Sequence, residues 1–320
     1  MEVELDALVV MKVVRHCHSA LPSFVTGQLL GLDIERALEI THSFPFPNKD
    51  QRSPQLNDDD NPDQAGESYQ AEMMRCLRDV NVDNNTVGWY KSTYFSSFID
   101  EDCIETQFNY QLNIPTAVLL IYDPSRTHTM DLPLQAFRLT DNFMELYEKG
   151  DFSTNALQSA SFRSSDIFEE LPVRTRTSSL SAVLLHELSN QTSPTPDYSR
   201  LELNTDTFLE KQLQLLIESV DDMQQESMKL QHFERNLQKQ KVAQQQYLAQ
   251  KQIEATAKQS RGEKVPEENH ANNPLFRPLP QPSRLESLMV ASQMDAYCEQ
   301  ITKFSNQGFV KNMLLNKVMH

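Results

Sequence analysis

The second half of this 320-residue chain lacks the residues that interrupt helices. No glycine occurs between 151 and 261, and no proline between 197 and 265. Those two residues are the strongest breakers of regular structure, so a stretch this long without them is expected to be helical. Within it, Leu209, Leu213, Leu216, Val220, Met223, Ser227, Leu230, Glu234 and Leu237 step by four and three. All but Ser227 and Glu234 are apolar, which makes a heptad seam. Past the seam the sequence turns glutamine-rich. One helix over 207–259 would reach about 80 Å at 1.5 Å per residue.

Such a helix needs something to lie against. One reading is a hairpin with a second helix in the chain's last segment. The other, which the length of the seam favours, is a bundle with helices from other chains. In that reading Leu209, Leu213, Leu216, Val220, Met223, Leu230 and Leu237 are partner-binding. Between the two helical segments, residues 266–282 contain five prolines and read as an extended linker.

The first part of the chain has a different grain. Asp6 is placed to cap a helix over 7–16, and 24–33 and 37–44 read as strands. Tyr69, Met73, Leu77 and Val80 recur at helical spacing within 67–80. A strand over 86–90, a helix over 102–113 and strands over 117–122 and 134–139 follow. Strands alternating with helices predict an α/β domain, with a central sheet flanked by helices. The expected organisation is therefore a domain over 1–145, a helical extension over 146–200, and the long helix over 201–260. A proline-rich linker over 261–284 and a C-terminal helix over 285–320 complete it.

Composition narrows the function. The net charge of −16 and the absence of a lysine and arginine cluster argue against gripping nucleic acid, since counterion release needs such clusters. The longest apolar run, 117–122, is far short of the ~20 residues of a membrane helix. No signal-peptide pattern opens the chain. Four cysteines, Cys17, Cys76, Cys103 and Cys298, form no C-x-x-C and suit free thiols in the cytoplasm. The acidic stretch NDDDNPDQAGE (57–67) reads as a solvated loop rather than a calcium loop, because it lacks the glycine-centred pattern. His16, Cys17 and His18 make the only tight His/Cys cluster, but residues two apart do not share a helix face. No phosphate-binding glycine loop is present, and no cofactor is expected.

Four segments, FVTGQLLGLD (24–33), VGWYKSTY (87–94), AVLLIYDP (117–124) and LQAFRL (134–139), resemble in order and spacing the MPN domain. That domain is shared by the proteasome lid, the COP9 signalosome and eukaryotic translation initiation factor 3. EITHSFPFP (39–47), EMMRCLRDVN (72–81), KQSRGE (258–263), PLFRPLPQPSR (274–284) and LMVASQMDAYCEQI (288–301) resemble more closely the MPN-containing subunits of the last of these, initiation factor 3.

The resemblance implies a test. Catalytic MPN proteins are zinc isopeptidases in which two His and one Asp hold the metal, and a Glu takes the proton of the bound water. The two His positions are Lys91 and Thr93 here. The Ser and Asp positions are Glu101 and Ile104, or Asp100 and Cys103 with a one-residue deletion. The Glu position is Phe24. A protonated lysine repels a cation, and a threonine hydroxyl is a weak zinc ligand. No catalytic and no metal-binding residue is therefore expected.

The resemblance then implies a non-catalytic scaffold subunit of initiation factor 3. Its partners would be the other MPN-containing subunit, known as f, and the PCI subunits, and through the complex the small ribosomal subunit. Direct RNA contact would be minor. The alternatives are a deubiquitinase-type MPN protein and a scaffold of the proteasome lid or signalosome.

Overall fold

The computed structural model describes residues 1–34, 37–47, 62–129, 132–191, 206–259, 276–277 and 279–319. Eight strands form one mixed sheet: β1 (Glu2–Asp6), β2 (Thr26–Ile34), β3 (Ala37–Pro45), β4 (Thr86–Ser92), β5 (Val118–Tyr122), β6 (Leu134–Leu139), β7 (Phe168–Leu171) and β8 (Val173–Arg176). Their order across the sheet is β7-β6-β5-β4-β2-β3-β1-β8. The central pair β4 and β5 is parallel, and β5 (VLLIY) is buried along its whole length. A continuous apolar run is what a strand covered on both faces requires.

Helices cover both faces. On one, α1 (Ala7–Ala20) lays Val9, Val13 and Cys17 onto Leu5, Leu29 and Leu120. Asp6 Oδ1 accepts from the Leu8 amide at 2.8 Å, the expected cap. The helix runs one turn beyond His16. On the other face, α3 (Glu101–Asn113), α4 (Asp141–Lys149) and α5 (Thr154–Ser159) enclose Ile104, Leu139, Phe143 and Phe152. A further helix, α2 (Pro62–Asp79), starts five residues before the expected boundary, with proline in its first turn.

Strand alternation sends Trp89 and Tyr90 of β4 to opposite faces, and both are buried. Gly88, just before them, lets the neighbouring strand approach closely. A Cβ there would lie 1.9 Å from the Val118 carbonyl oxygen, and φ is +154°. Gly27 makes room for the Tyr90 ring, which would meet a Cβ at 2.4 Å. The Trp89 indole nitrogen donates to Gln107 Oε1 of α3 at 2.9 Å, satisfying its one polar atom.

Two expectations need correction. The segment 146–200 is not purely a helical extension: β7 and β8 lie in it and close opposite edges of the sheet. Ile167 and Leu171 are core residues, so the domain does not end near 145. Within the described part of this segment, α6 (Ser179–Gln191) follows the last strand and leaves Leu180, Val183 and Leu188 exposed. Second, the expected elements do not include β1, although its Glu-Val-Glu-Leu alternation puts Val3 and Leu5 in the core.

The long helix is α7 (Asp206–Gln259), and α8 (Leu285–Met319) packs against it as a hairpin. The acidic residues 57–61 and the linker residues 260–275 and 278 lie outside the described residues.

Candidate functional site

The positions singled out by the zinc comparison surround the end of β4. Lys91, on β4, places its ammonium 2.8 Å from Asp100 Oδ2. Thr93 is wholly buried. Its amide donates to the Tyr122 carbonyl at 2.9 Å, and its hydroxyl to the Ser97 carbonyl at 2.8 Å. Phe24 sits beside them, 57% exposed, with its ring 6.0 Å from that of Tyr94. Glu101 is exposed at the first turn of α3. Ile104, one turn on, points into the core instead.

These residues do not fit a zinc ion. The ammonium is already neutralised by a carboxylate, and the hydroxyl is already donating its proton to a backbone oxygen. Ile104 has no donor atom. Among the described residues, no group of three or more His, Cys, Asp or Glu is placed to hold a metal.

The nearby thiols are no better suited. Cys17 and Cys103 are buried, and burial pushes each up to about 12. The thiolate is the ligand and the nucleophile, and here it is suppressed. His16 is half-buried and pairs through Nδ1 with the Tyr90 hydroxyl at 2.8 Å. Burial pulls its imidazole below the usual value. His18 faces solvent, so the His16-Cys17-His18 cluster is split three ways.

Sequence reasoning missed what does gather at this site. Asp123, after β5, is buried and accepts from the amides of Ser96 (2.7 Å) and Ser125 (2.9 Å). Two glutamines of α8 reach the same turn. Gln293 Nε2 donates to the Ser96 carbonyl at 2.7 Å, and Gln300 Nε2 donates to the Ser96 hydroxyl. These contacts join residues about two hundred apart in sequence, and on a helix such glutamines look like surface.

The second candidate site is the seam of α7. The stripe of α7 that meets α8 is offset by one residue from the heptad positions. Phe208 packs on Phe304 with ring centroids 4.8 Å apart, and Gln212 donates to Gln300. Farther along, Lys229 bridges to Glu286 of α8. The intramolecular hairpin, the less favoured reading of the seam, is therefore present. Leu209, Leu216, Met223, Leu230 and Leu237 flank the contact and are half-buried. Leu213 and Val220 remain 42% and 45% exposed, and Ile217 between them is exposed as well.

Residues 1–116 match the family described as JAB1/Mov34/MPN/PAD-1 ubiquitin protease, and residues 127–319 match the C-terminal region of eIF3h. Similar proteins are named as the H subunit of eukaryotic translation initiation factor 3. One from Arabidopsis thaliana is 43% identical over 99% of this chain and 92% of its own length. One from Nematostella vectensis is 41% identical over 98% and 92%. The chain belongs to the eIF3h family. A third member, from Dictyostelium discoideum, is 40% identical over 98% of this chain and 93% of its own. The eIF3h family thus accounts for both parts of the molecule, the MPN sheet domain and the helical arm.

Among the described residues, no helix is long and apolar enough to cross a membrane.

Proposed function

We propose that this chain is a non-catalytic scaffold subunit of translation initiation factor 3. Its MPN domain serves as a packing surface for the factor's other MPN-containing subunit, f. Its helical arm joins the helices of the PCI subunits. In this role it helps hold together, in the cytoplasm, the factor that binds the small ribosomal subunit and promotes mRNA recruitment and start-site selection. The chain needs no cofactor, and its direct RNA contacts are minor.

The observation that carries this reading is the end-to-end similarity to eIF3h proteins from three organisms. The occupied side chains of Lys91 and Thr93 support the absence of hydrolysis. The exposed stripe Leu213, Ile217 and Val220 supports a partner on the arm, because a row of aliphatic side chains at helical spacing is the form that a helix interface takes.

The test is to purify the tagged full chain from cells and identify what comes with it. Initiation factor 3 subunits are expected, and cleavage of a ubiquitin dimer by the preparation is not. Recovery of proteasome-lid or signalosome subunits in their place, or dimer cleavage that Lys91→Ala abolishes, would overturn the proposal.

A further inference from the structure

The turn from Thr93 to Ile99 has an unusual backbone. Phe95 and Ser96 both adopt φ of +55°. The left-handed region is unfavourable for a non-glycine residue. Two in succession persist only where the surroundings over-determine them. The surroundings here are of two kinds. Behind the turn, Asp123 takes the Ser96 amide at 2.7 Å. In front of it stand α7 and α8.

The left-handed pair aims each group of Ser96 at a different partner. Its amide turns inward to Asp123, and its carbonyl turns outward to Gln293 Nε2 at 2.7 Å. Its hydroxyl lies between Asp123 Oδ2, at 3.3 Å, and Gln300 Nε2. Gln293 also accepts from the Ile99 amide at 3.3 Å. Gln300 Oε1 in turn accepts from Gln212 Nε2 of α7. Phe95 leans on Phe208 of α7, with ring centroids 5.4 Å apart. Ser96, Asp123, Gln212, Gln293 and Gln300 are all buried.

We propose that this turn, which carries Thr93 of the lost metal frame, is a binding site whose occupant is the chain's own α7–α8 pair. The relay Gln212–Gln300–Ser96–Asp123 fixes the direction in which the arm leaves the domain. What the relay adds is specificity rather than strength. Aliphatic contacts tolerate sliding, whereas buried hydrogen-bonding groups are costly when unpaired. Gln293 and Gln300 are two helical turns apart and share a face. A one-residue slip of α8 rotates both away by about 100° and strands the Ser96 carbonyl and the Ile99 amide. The turn therefore accepts α8 in a single local register. The strained backbone is the part of the device that aims the Ser96 groups at the arm.

These contacts lie within one chain, so they are tested on the purified full-length protein, independently of any partner. Hydrogen–deuterium exchange is followed by mass spectrometry in the wild type and in Gln293→Leu/Gln300→Leu. Peptides covering 93–100 should exchange at least tenfold faster in the variant, while peptides covering 118–122 are unchanged. Small-angle scattering should show a broader distribution of arm positions. Ser96→Ala probes the same relay from the domain side. It should speed exchange in peptides covering 293–300 and leave β5 protected. Unchanged exchange at 93–100 in the double variant would overturn the proposal. If that variant proves unfolded, with exchange also rising at 118–122, then Ser96→Ala decides. A Ser96→Ala protein with the arm's exchange and scattering unaltered overturns the proposal as well.

Discussion

Restoring the lost histidines makes a sharp test, because the two positions differ so much in environment. Thr93 is fully buried, and its hydroxyl satisfies the Ser97 carbonyl. Replacing it with histidine overpacks the turn, at about 1–3 kcal/mol. It also removes a side-chain hydrogen bond worth about 0.5–1.5 kcal/mol. Thr93→His should therefore cost roughly 2–4 kcal/mol, which for a domain of this size lowers Tm by roughly 5–15 °C. Lys91 instead holds an ion pair with a carboxylate that is 59% exposed. Such pairs contribute about 0–1 kcal/mol, so Lys91→His should be nearly silent. Urea unfolding followed by fluorescence measures both, since Trp89 is the only tryptophan and is buried on β4, two residues before Lys91. The double variant should carry no stoichiometric zinc, because Ile104 and Phe24 still leave the ligand set and the base incomplete. Equal stabilities for the two single variants, or about one zinc per chain in the double variant, would refute this reasoning.

Other outcomes follow from burial and charge. In the native protein, an alkylating reagent at pH 8 should modify the exposed Cys76 and Cys298 and spare Cys17 and Cys103, whose thiols burial holds near 12. Mass spectrometry should count two adducts before denaturation and four after it. Burial also lowers the His16 and His42 imidazoles. The unfolded chain therefore binds more protons than the folded one once pH falls below about 6.5, and stability is full above that value and lost below it. His16→Gln/His42→Gln should flatten the fall between pH 6.5 and 5.5 in urea titrations, and an unaltered slope would contradict the assignment. A fragment 1–191 keeps all eight strands and should give a cooperative unfolding transition. A fragment 1–145 loses Ile167 and Leu171 from the core, at about 1.5–3 kcal/mol for each buried side chain, and should not.

What was legible in the sequence followed the strength of the local signal. Strands β2 to β6 and helices α1 and α3 carry apolar runs, alternation or helical spacing that mark them locally, and each lies within a few residues of its expected place. The strands β7 (FEEL) and β8 (VRTR) are short edge strands dominated by charged or exposed residues, so neither has an apolar period to read. The seam on α7 was legible, but its orientation was not. Phe208 and Gln212, which meet α8, each lie one residue before the seam positions Leu209 and Leu213, and only tertiary packing separates the two stripes. At the site, the substitutions at Phe24, Lys91 and Thr93 could be read from the motif alone. The glutamines that now hold the turn could not, because nothing local distinguishes Gln293 and Gln300 from their exposed neighbours.

In the proposed function, this chain joins initiation factor 3 through its arm. The most direct measurement compares tagged wild type with Leu213→Asp/Val220→Asp in cells, quantifying every co-purifying subunit. Both substituted side chains face solvent in the isolated chain, so the variant should fold normally. At an apolar interface, two unpaired carboxylates cost far more than the 1.4 kcal/mol of one decade in affinity. The wild type should recover the PCI subunits and the f subunit, and the variant should lose the PCI subunits while keeping f. Full recovery of the PCI subunits by a folded variant would contradict the proposal.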